Sequence, residues 1–285
     1  MAPFYTTRAS FDALNNGPYS EHTVTFFAFI TARTDSNRLP QKMLLPIKGR
    51  KVIEHVIDRA KMIHGLEGIV LCTSDRPQDD VLEEVAKKEG ILCFRGSLED
   101  KLERWHGAAE KFKPDYILTI DADDLFFSPE LCELAITQAK RDTPDFIQGP
   151  KTLACGAFTY CFSASALKKV CEIKDSTDTE MMWVYFTDTG LFKIAELKVE
   201  DPVYHLDGVR MTLDYPEDLA FFERVFDELG TDRNTVSTPN ILNLLREKPG
   251  INEINYFRQK DFLDNQQKKT TLKLKGPRNN GRYAA

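Results

Sequence analysis

The sequence has no long apolar run and no large excess of charge of either sign. No segment approaches the roughly 20 apolar residues that a membrane helix needs. The N-terminal stretch MAPFYTTRASFDALNNGPYSEH also lacks the uninterrupted apolar part of a signal peptide. The net charge of -6, from 38 Lys and Arg against 44 Asp and Glu, argues against a nucleic-acid-binding body. We therefore expect a cytoplasmic protein whose partner is neither a membrane nor a nucleic acid.

Motifs typical of disulfide frameworks and of ATP-binding loops are absent as well. The six cysteines form no C-x-x-C pair, and Cys72 and Cys93 lie inside apolar runs, as small core residues do. No G-x-x-x-x-G-K-[ST] motif occurs, which disfavours a Walker-type ATPase. The chain has 285 residues, 42% of them hydrophobic, which is enough for a sizeable core without disulfides. We expect reduced, buried thiols.

Apolar runs alternate with amphipathic stretches through the first half of the chain. Val24 to Ile30 and Gly68 to Cys72 are predicted strands buried on both faces, and Val52 to Ile63 has its apolar side chains at helical spacing. Strands that alternate with helices cannot pair through tight hairpins, so the pattern predicts a doubly wound α/β domain with a mostly parallel sheet. The alternation continues with predicted helices near 79–89, 98–112 and 129–140 and predicted strands at 91–94 and 116–120.

The pattern changes after residue 145. Predicted strands at 158–162 and 191–197 flank an acidic, aromatic stretch, and we interpret about 152–203 as an inserted, lid-like subregion. A predicted strand at Val209 to Leu213 and a helix at Pro216 to Leu229 resume the main pattern. The predicted division is a polar leader (1–23), a main domain that contains the insertion (24–265) and a basic tail (266–285). The tail carries no acidic residue, so we expect it to be flexible, with contact to an anionic substrate or partner as the alternative.

The loop after the first predicted strand carries an unusual density of cations. In an open α/β sheet, ligands bind outside the carboxyl ends of the strands. Arg33, Arg38 and Lys42 fall in this one connection. Arginine offers a planar fork to phosphate oxygens and lysine a mobile point charge, so the loop suits a polyphosphate better than it suits a merely solvated surface.

The loop after the predicted strand at 116–120 is acidic. Asp121, Asp123 and Asp124 follow one another closely there, and unpaired negative charges in a cleft need a cation nearby. Mg²⁺ takes oxygen ligands and is commonly shared between one or two carboxylates and substrate phosphates, so this loop is a candidate magnesium site. The alternative is a helix-capping acidic turn before Ser128-Pro129.

Several motifs in order give the chain a family resemblance. The stretch ARTDSNRLPQKMLLPIKGRKVIEHVIDRA contains R-x-x-S-x-R-L-P-x-K, and CTSDRPQDD, FRGSLEDKLERW, the aspartate cluster and RMTLDYPEDL follow. Together they resemble the cytidylyltransferases that make CMP-activated acidic sugars, such as the 3-deoxy-manno-octulosonate and acylneuraminate enzymes, with the spore-coat polysaccharide branch nearest. The resemblance covers about Val24 to Leu229. It implies a Rossmann-like nucleotidyltransferase fold and transfer of CMP from CTP with release of pyrophosphate.

The resemblance also implies roles for matching residues. The catalytic set would be Arg33, Arg38, Lys42 and Asp121, the three cations holding the triphosphate. The implied nucleotide-binding set, which includes the base and ribose pocket, is Ala32, Arg33, Ser36, Arg38, Lys42, Thr73, Ser74, Asp75, Arg95, Gly96 and Ser97. The implied ligands of Mg²⁺ are Asp121, Asp123 and Asp214.

Three departures from the family pattern concern these ligands. The family commonly has glycine where Gln41 and Ile120 stand, and a proline near Asp123, which leaves open whether Asp123 or Asp124 binds metal. Asp214 has a second candidate role as the N-cap of the helix that Pro216 opens.

The acceptor is expected to bind the variable region from Thr152 to Asp188. Glu180, Trp183 and Tyr185 are the candidate acceptor residues there, with an interface or lid as the alternative interpretation. Arg210 is a further candidate, and pairing with a local acid is equally compatible with the sequence. By resemblance, we expect a homodimer.

Other functions remain open from the sequence. The acceptor could be a phosphonate or a phosphorylated metabolite instead of an acidic sugar. A GT-A-like glycosyltransferase also carries Asp-x-Asp on a parallel sheet, but such an enzyme does not account for the basic first loop. A catalytically inactive nucleotide-binding protein is the non-enzymatic alternative.

Overall fold

The computed structural model describes residues 23–232 and 235–276, and a seven-stranded sheet lies at its centre. The strands are β1 (Phe26–Thr31), β2 (Pro46–Ile47), β3 (Arg50–Lys51), β4 (Gly68–Ser74), β5 (Leu92–Gly96), β6 (Tyr116–Asp121), β7 (Phe146–Gln148), β8 (Tyr160–Ser163) and β9 (Ile194–Glu196). The helices are α1 (Val52–Ala60), α2 (Asp80–Glu89), α3 (Lys101–Phe112), α4 (Pro129–Asp142), α5 (Ala164–Ile173), α6 (Val184–Thr187), α7 (Pro216–Leu229), α8 (Thr238–Glu247) and α9 (Gln259–Lys269).

The main sheet has the order β5-β4-β1-β6-β8-β7-β9. Its first four strands are parallel neighbours, whereas β8 runs antiparallel to both β6 and β7. The prediction of a mostly parallel α/β sheet is confirmed. Strands β2 and β3 form a separate small hairpin in the first loop.

The central strand β1 is buried on both faces, as its unbroken apolar sequence requires. Ala28 and Ile30 pack into one hydrophobic cluster with α1, α4, α7 and α8, while Phe29 packs into a second cluster with α3, α5 and α6. Helices therefore cover both faces. This doubly wound arrangement places the loops after β1, β4 and β6 at the same edge of the sheet.

The region expected to be an insertion is instead part of the main sheet. Strand β8 pairs with β6 along Tyr116 to Thr119, and β7 joins β8 to β9. The prediction of a separate subregion over 152–203 is wrong in this respect, because its strands extend the central sheet. Between β8 and β9, the stretch 175–193 contains only the one-turn helix α6.

Two further predictions are corrected. Val209 to Leu213 forms no strand, since its backbone bonds to loops: Met211 donates to the Cys155 carbonyl (3.0 Å) and Leu213 to that of Asp123 (2.9 Å). The basic tail is structured as far as Gly276, because Leu272 and Leu274 pack on the second cluster and Leu274 pairs with Lys174. The leader is outside the described residues except for its last one, and 277–285 lies outside them too.

All six cysteines are free, and each is buried or half-buried, which agrees with the prediction of reduced core thiols. Within the described ranges, every helix is too short or too polar to span a lipid bilayer.

Candidate functional site

The first loop and the acidic loop meet because β1 and β6 are paired to their ends. Thr31, the last residue of β1, is in register with Asp121, the last residue of β6. The amide of Ala122 then donates to the Thr31 carbonyl at 3.1 Å. The parallel pairing therefore brings together the two segments that the sequence singles out for phosphate and for metal.

Two of the three predicted phosphate-binding cations form ion pairs with predicted metal ligands. Lys42 Nζ is 2.8 Å from Asp123 Oδ2 and 3.1 Å from Asp214 Oδ1, and it also donates to the Leu213 carbonyl at 2.7 Å. Arg38 Nη2 is 2.5 Å from Asp214 Oδ1. Burial alone would lower the pKa of Lys42, but Asp123 and Asp214 outweigh burial and raise it. Lys42 is thus a fully charged group inside the site.

The acidic loop holds more negative charge than these cations neutralise. Burial raises the pKa of Asp123, and the neighbouring Asp214 and Asp121 raise it further against the pull of Lys42. The pKa of Asp124 is raised well above its ordinary value by burial and by Asp123 and Asp121, although Thr212 hydrogen-bonds to it. A cluster of carboxylate oxygens with excess charge fits a hard divalent cation.

The capping alternatives fail at both acidic positions. Ser128 caps α4 by accepting from the Leu131 amide at 3.1 Å, so the acidic loop is not needed for that purpose. At α7, the Asp218 carboxylate accepts from the amides of Asp214 and Tyr215 at 2.8 and 2.9 Å. The side chain of Asp214 is therefore left to face cations, and Lys42, Arg38 and Arg210 lower its pKa although burial opposes them.

Lys101 completes the cluster, and sequence reasoning missed it. Its Nζ lies 2.7 Å from Asp121 Oδ1 and 4.8 Å from the centre of the Trp105 ring. Trp105 in turn donates from Nε1 to Thr31 Oγ1 at 2.9 Å, which fixes α3 against the end of β1. The quoted motif FRGSLEDKLERW contains both residues, but a lysine at the start of a helix is usually solvated, so the spacing alone does not single it out.

Arg33 stands apart from the other two loop cations. Its Nη2 is 3.2 Å from Glu180 Oε2, and Lys269 Nζ reaches the same oxygen at 3.2 Å. Burial would raise the pKa of Glu180, but Arg33 and Lys269 lower it. Glu180, a predicted acceptor residue, therefore lies beside the first loop, and its acceptor role stays a prediction. Trp183 is half-buried against the second hydrophobic cluster and its acceptor role stays a prediction.

Two predicted acceptor residues do not face a ligand. Tyr185 is fully buried in the second cluster. Arg210 is also fully buried, with Nη2 at 2.9 Å from Asp214 and Nε at 3.0 Å from Asp218. The acceptor prediction is wrong for both, and for Arg210 the alternative of a local ion pair is the correct one.

The predicted base and ribose pocket lies at the ends of β4 and β5. Thr73 and Ser74 have fully buried side chains, so only their backbone and their neighbours can meet a ligand. Arg95 is held by Asp80 at 2.6 Å and Glu83 at 3.0 Å and donates to the Ser74 carbonyl at 3.0 Å. The remaining predicted nucleotide-binding residues are the buried Ala32, the half-buried Ser36, Gly96 and Ser97, and the exposed Asp75.

Asp79, which the sequence did not single out, ties the first loop to β4. Its carboxylate accepts from the Thr34 amide at 2.7 Å, from the Thr34 hydroxyl at 2.6 Å and from Ser74 Oγ. Burial would raise its pKa, but the hydrogen bonds from Ser74 and Thr34 prevail and the pKa is lowered. Asp79 thus holds the first loop, through Thr34, against the end of β4.

Comparison of this chain with known proteins identifies the family to which it belongs. The family model described as cytidylyltransferase matches residues 27–207. The spore coat polysaccharide biosynthesis protein SpsF of Bacillus subtilis is 26% identical over 227 residues, 77% of this chain and 93% of that protein. The 8-amino-3,8-dideoxy-manno-octulosonate cytidylyltransferase of Shewanella amazonensis is 41% identical over 122 residues, 41% of this chain and 48% of that enzyme.

Among solved structures, a cytidylyltransferase from Leptospira borgpetersenii superposes with a TM-score of 0.73 at 24% identity, covering 80% of this chain and 97% of that one. The structural match agrees with the mostly parallel sheet of this chain. The match to the family model spans more than half of the chain and includes the cationic first loop and the acidic loop. The chain belongs to the cytidylyltransferase family and is a CTP-dependent nucleotidyltransferase.

Proposed function

We propose that this cytidylyltransferase transfers CMP from CTP to an acidic sugar, or to a closely related anionic acceptor, with Mg²⁺ as cofactor and pyrophosphate as the second product. The observation that carries the proposal is the contact of Arg38 and Lys42 with Asp123 and Asp214 at the carboxyl edge of β1 and β6. The names of the two relatives support a role in surface polysaccharide or glycoconjugate synthesis.

The ion pairs of the site support an exchange of partners when the nucleotide binds. Arg38 and Lys42 would leave the carboxylates for phosphate oxygens and then hold the departing pyrophosphate. Asp121, Asp123 and Asp214 would hold Mg²⁺, which neutralises phosphate charge when bound. In this exchange the phosphate oxygens would take the two cations and the bound Mg²⁺ would compensate the carboxylates that they leave. The acceptor oxygen attacks the α-phosphorus, and positioning with charge neutralisation is the main task of the protein.

The surroundings of Glu180 support an anionic acceptor. Arg33 and Lys269 contact this carboxylate, and Lys101 is close enough to lower its pKa further. Arg33, Lys269 and Lys101 together face two carboxylates, those of Glu180 and Asp121, so one positive charge is left for a further anion such as the carboxylate of an acidic sugar. The same surplus suits a phosphonate or a phosphorylated metabolite, so the acceptor has to be chosen by experiment.

The homodimer and the cytoplasmic location stay predictions.

The test is pyrophosphate release with each of the four ribonucleoside triphosphates and Mg²⁺, against separate pools of acidic sugars, phosphonates and sugar phosphates. We expect release with CTP that depends on an acidic sugar. Release that depends on a phosphonate or a sugar phosphate instead would overturn the acceptor while keeping the reaction. Retained CTP binding without turnover across all pools would favour the inactive nucleotide-binding alternative.

A further inference from the structure

A second group of metal-ligating side chains lies on the face of the sheet covered by α3 and α5. Glu103 and His106 are one turn apart on α3, and Cys171 faces them from α5. One carboxylate oxygen, one imidazole nitrogen and the cysteine Sγ all lie within 4.8 Å of one another. None of the three takes part in the nucleotide site described above, so their proximity is independent of it.

The histidine of this group lacks a hydrogen-bond partner for one ring nitrogen within the part of the chain that the structure describes. Nε2 of His106 is buried and lacks a hydrogen-bond partner among the described residues. A buried nitrogen without a partner is costly, and native proteins contain few of them. The Cys171 thiol donates a weak hydrogen bond to the Leu102 carbonyl at 3.6 Å. A metal ion would give the imidazole a partner and would bind the cysteine as its thiolate, which releases the thiol proton.

We propose that Glu103, His106 and Cys171 form a binding site for a divalent transition metal, with Zn²⁺ as the best match. Sulfur, nitrogen and oxygen together suit Zn²⁺, which takes cysteine, histidine and carboxylate ligands in tetrahedral sites. Magnesium prefers an all-oxygen set, which separates this site from the carboxylates at the edge of the sheet.

Such a metal would join α3 to α5 on the face opposite to α1 and α4. Helix α3 begins at Lys101, whose ammonium contacts Asp121 in the nucleotide site. Two ligands from α3 and one from α5 leave a fourth position for water. The metal would therefore act as a cross-link that holds the helix carrying Lys101, outside the reaction itself.

The test uses the full-length protein, stripped of metal and titrated with Co²⁺. A thiolate bound to Co²⁺ gives a ligand-to-metal charge-transfer absorption, which carboxylates alone do not give. We expect this band to saturate at one equivalent and to disappear when Zn²⁺ is added. Cys171→Ser should abolish the band, and His106→Gln should weaken metal binding by at least about tenfold, the loss seen even for supporting residues of metal sites.

Two controls separate this site from the rest of the chain. Cys93→Ser removes another half-buried cysteine and should leave the band unchanged, and Asp121→Asn, which alters the nucleotide site, should leave it unchanged as well. Zn²⁺ should also raise the melting temperature of the wild type but not that of Cys171→Ser, because a ligand stabilises only the form that binds it. Absence of the band in the wild type, or its persistence in Cys171→Ser, would overturn the proposal whether or not the enzyme uses CTP.

Discussion

Asp214 lies between two charged clusters that differ in exposure. The front cluster contains Arg38, Lys42, Asp123 and Asp214, and two of its side chains reach solvent: those of Arg38 and Asp123 are 33% and 27% exposed. The back cluster contains Arg210, Asp218 and Asn255, which are fully buried. One oxygen of Asp214 faces each cluster, since Lys42 and Arg38 contact Oδ1 and Arg210 contacts Oδ2.

This difference in exposure gives the two clusters different tasks: the front cluster can bind a ligand, and the back cluster supports it. In the front cluster a cation can move to a phosphate because solvent and neighbouring carboxylates remain available. In the back cluster every guanidinium nitrogen of Arg210 already has an acceptor, on Asp218, Gln259 or Asp214. Exchange there would leave a buried charge unpaired, which is costly. The back cluster therefore fixes Asp214 so that the front cluster can exchange partners.

The largest effect is expected from breaking the back cluster. Arg210→Met leaves Asp214 and Asp218 without their buried cation, so we expect the free energy of unfolding to fall by about 3–5 kcal/mol. Urea unfolding followed by circular dichroism measures the loss. Arg224→Met, which removes an exposed ion pair with Glu228, is the matched control and should change stability little. Equal, small losses in both variants would mean that the back cluster does not support the site.

Breaking the front cluster should affect turnover and leave the fold intact. Arg38→Ala and Asp121→Asn are each expected to lower turnover roughly 10²–10³-fold, the usual cost of removing one group that stabilises charge in a transition state. Stability should stay within about 1 kcal/mol of wild type, because both side chains are partly exposed. Pyrophosphate release at saturating CTP gives the measurement, with Lys48→Ala, which removes an ion pair with Asp227 outside the site, as control. Full activity in either variant would refute the role assigned to that residue.

A smaller effect is expected where Asp79 joins the two regions of the nucleotide site. Asp79→Asn replaces an acceptor of three hydrogen bonds by a group that also donates, so we expect a loss of about 1–3 kcal/mol at neutral pH. The folded-state pKa of Asp79 lies below the ordinary value of 3.8. Its contribution is therefore complete above that value and is lost as the pH falls through the folded-state pKa.

The difference in stability between wild type and Asp79→Asn should thus be constant near neutrality and shrink only in acid. Denaturant titrations over a range of pH measure it. Asp80→Asn, at the next position but 61% exposed in its side chain, serves as the control and should show a smaller loss. A difference that already shrinks near pH 7 would show that the carboxylate is not held in its charged form.

Much of the fold could be predicted because the strands that carry the site are buried on both faces. Unbroken apolar runs identify β1, β4 and β6, and their alternation with helices fixes a parallel sheet. The strand predicted at 158–162 corresponds to β8, but its antiparallel direction could not be predicted. That direction depends on pairing with β6 across about 40 residues, and no local pattern records it. The structured part of the basic tail could not be predicted for a similar reason. Leu272 and Leu274 are two apolar residues among lysines, and their packing partners are distant in the sequence.

The parts of the candidate site that are dense in charge could be predicted from the sequence. The roles of residues that depend on burial could not. Arg38, Lys42 and Asp123 stand out as a cationic and an acidic loop, and the structure brings them together. Arg210 and Tyr185 were assigned to the acceptor because arginine and tyrosine suit binding sites, yet both are fully buried. Residue type alone does not distinguish a side chain that faces a ligand from one that holds a neighbour in place.

The smallest effect is expected at Gln41, which precedes the front-cluster residue Lys42. Gln41 has φ +54° and ψ +28°, in the left-handed region that favours glycine, and this explains why a glycine suits the position. Gln41→Gly removes that strain but adds freedom to the unfolded chain, so we expect a net gain of up to about 1 kcal/mol. Thermal unfolding compares it with Lys87→Gly in α2, which should lose about 1 kcal/mol because the helix there gains nothing from glycine. A loss in both variants would show that the Gln41 side chain contributes more to the first loop than its backbone strain costs.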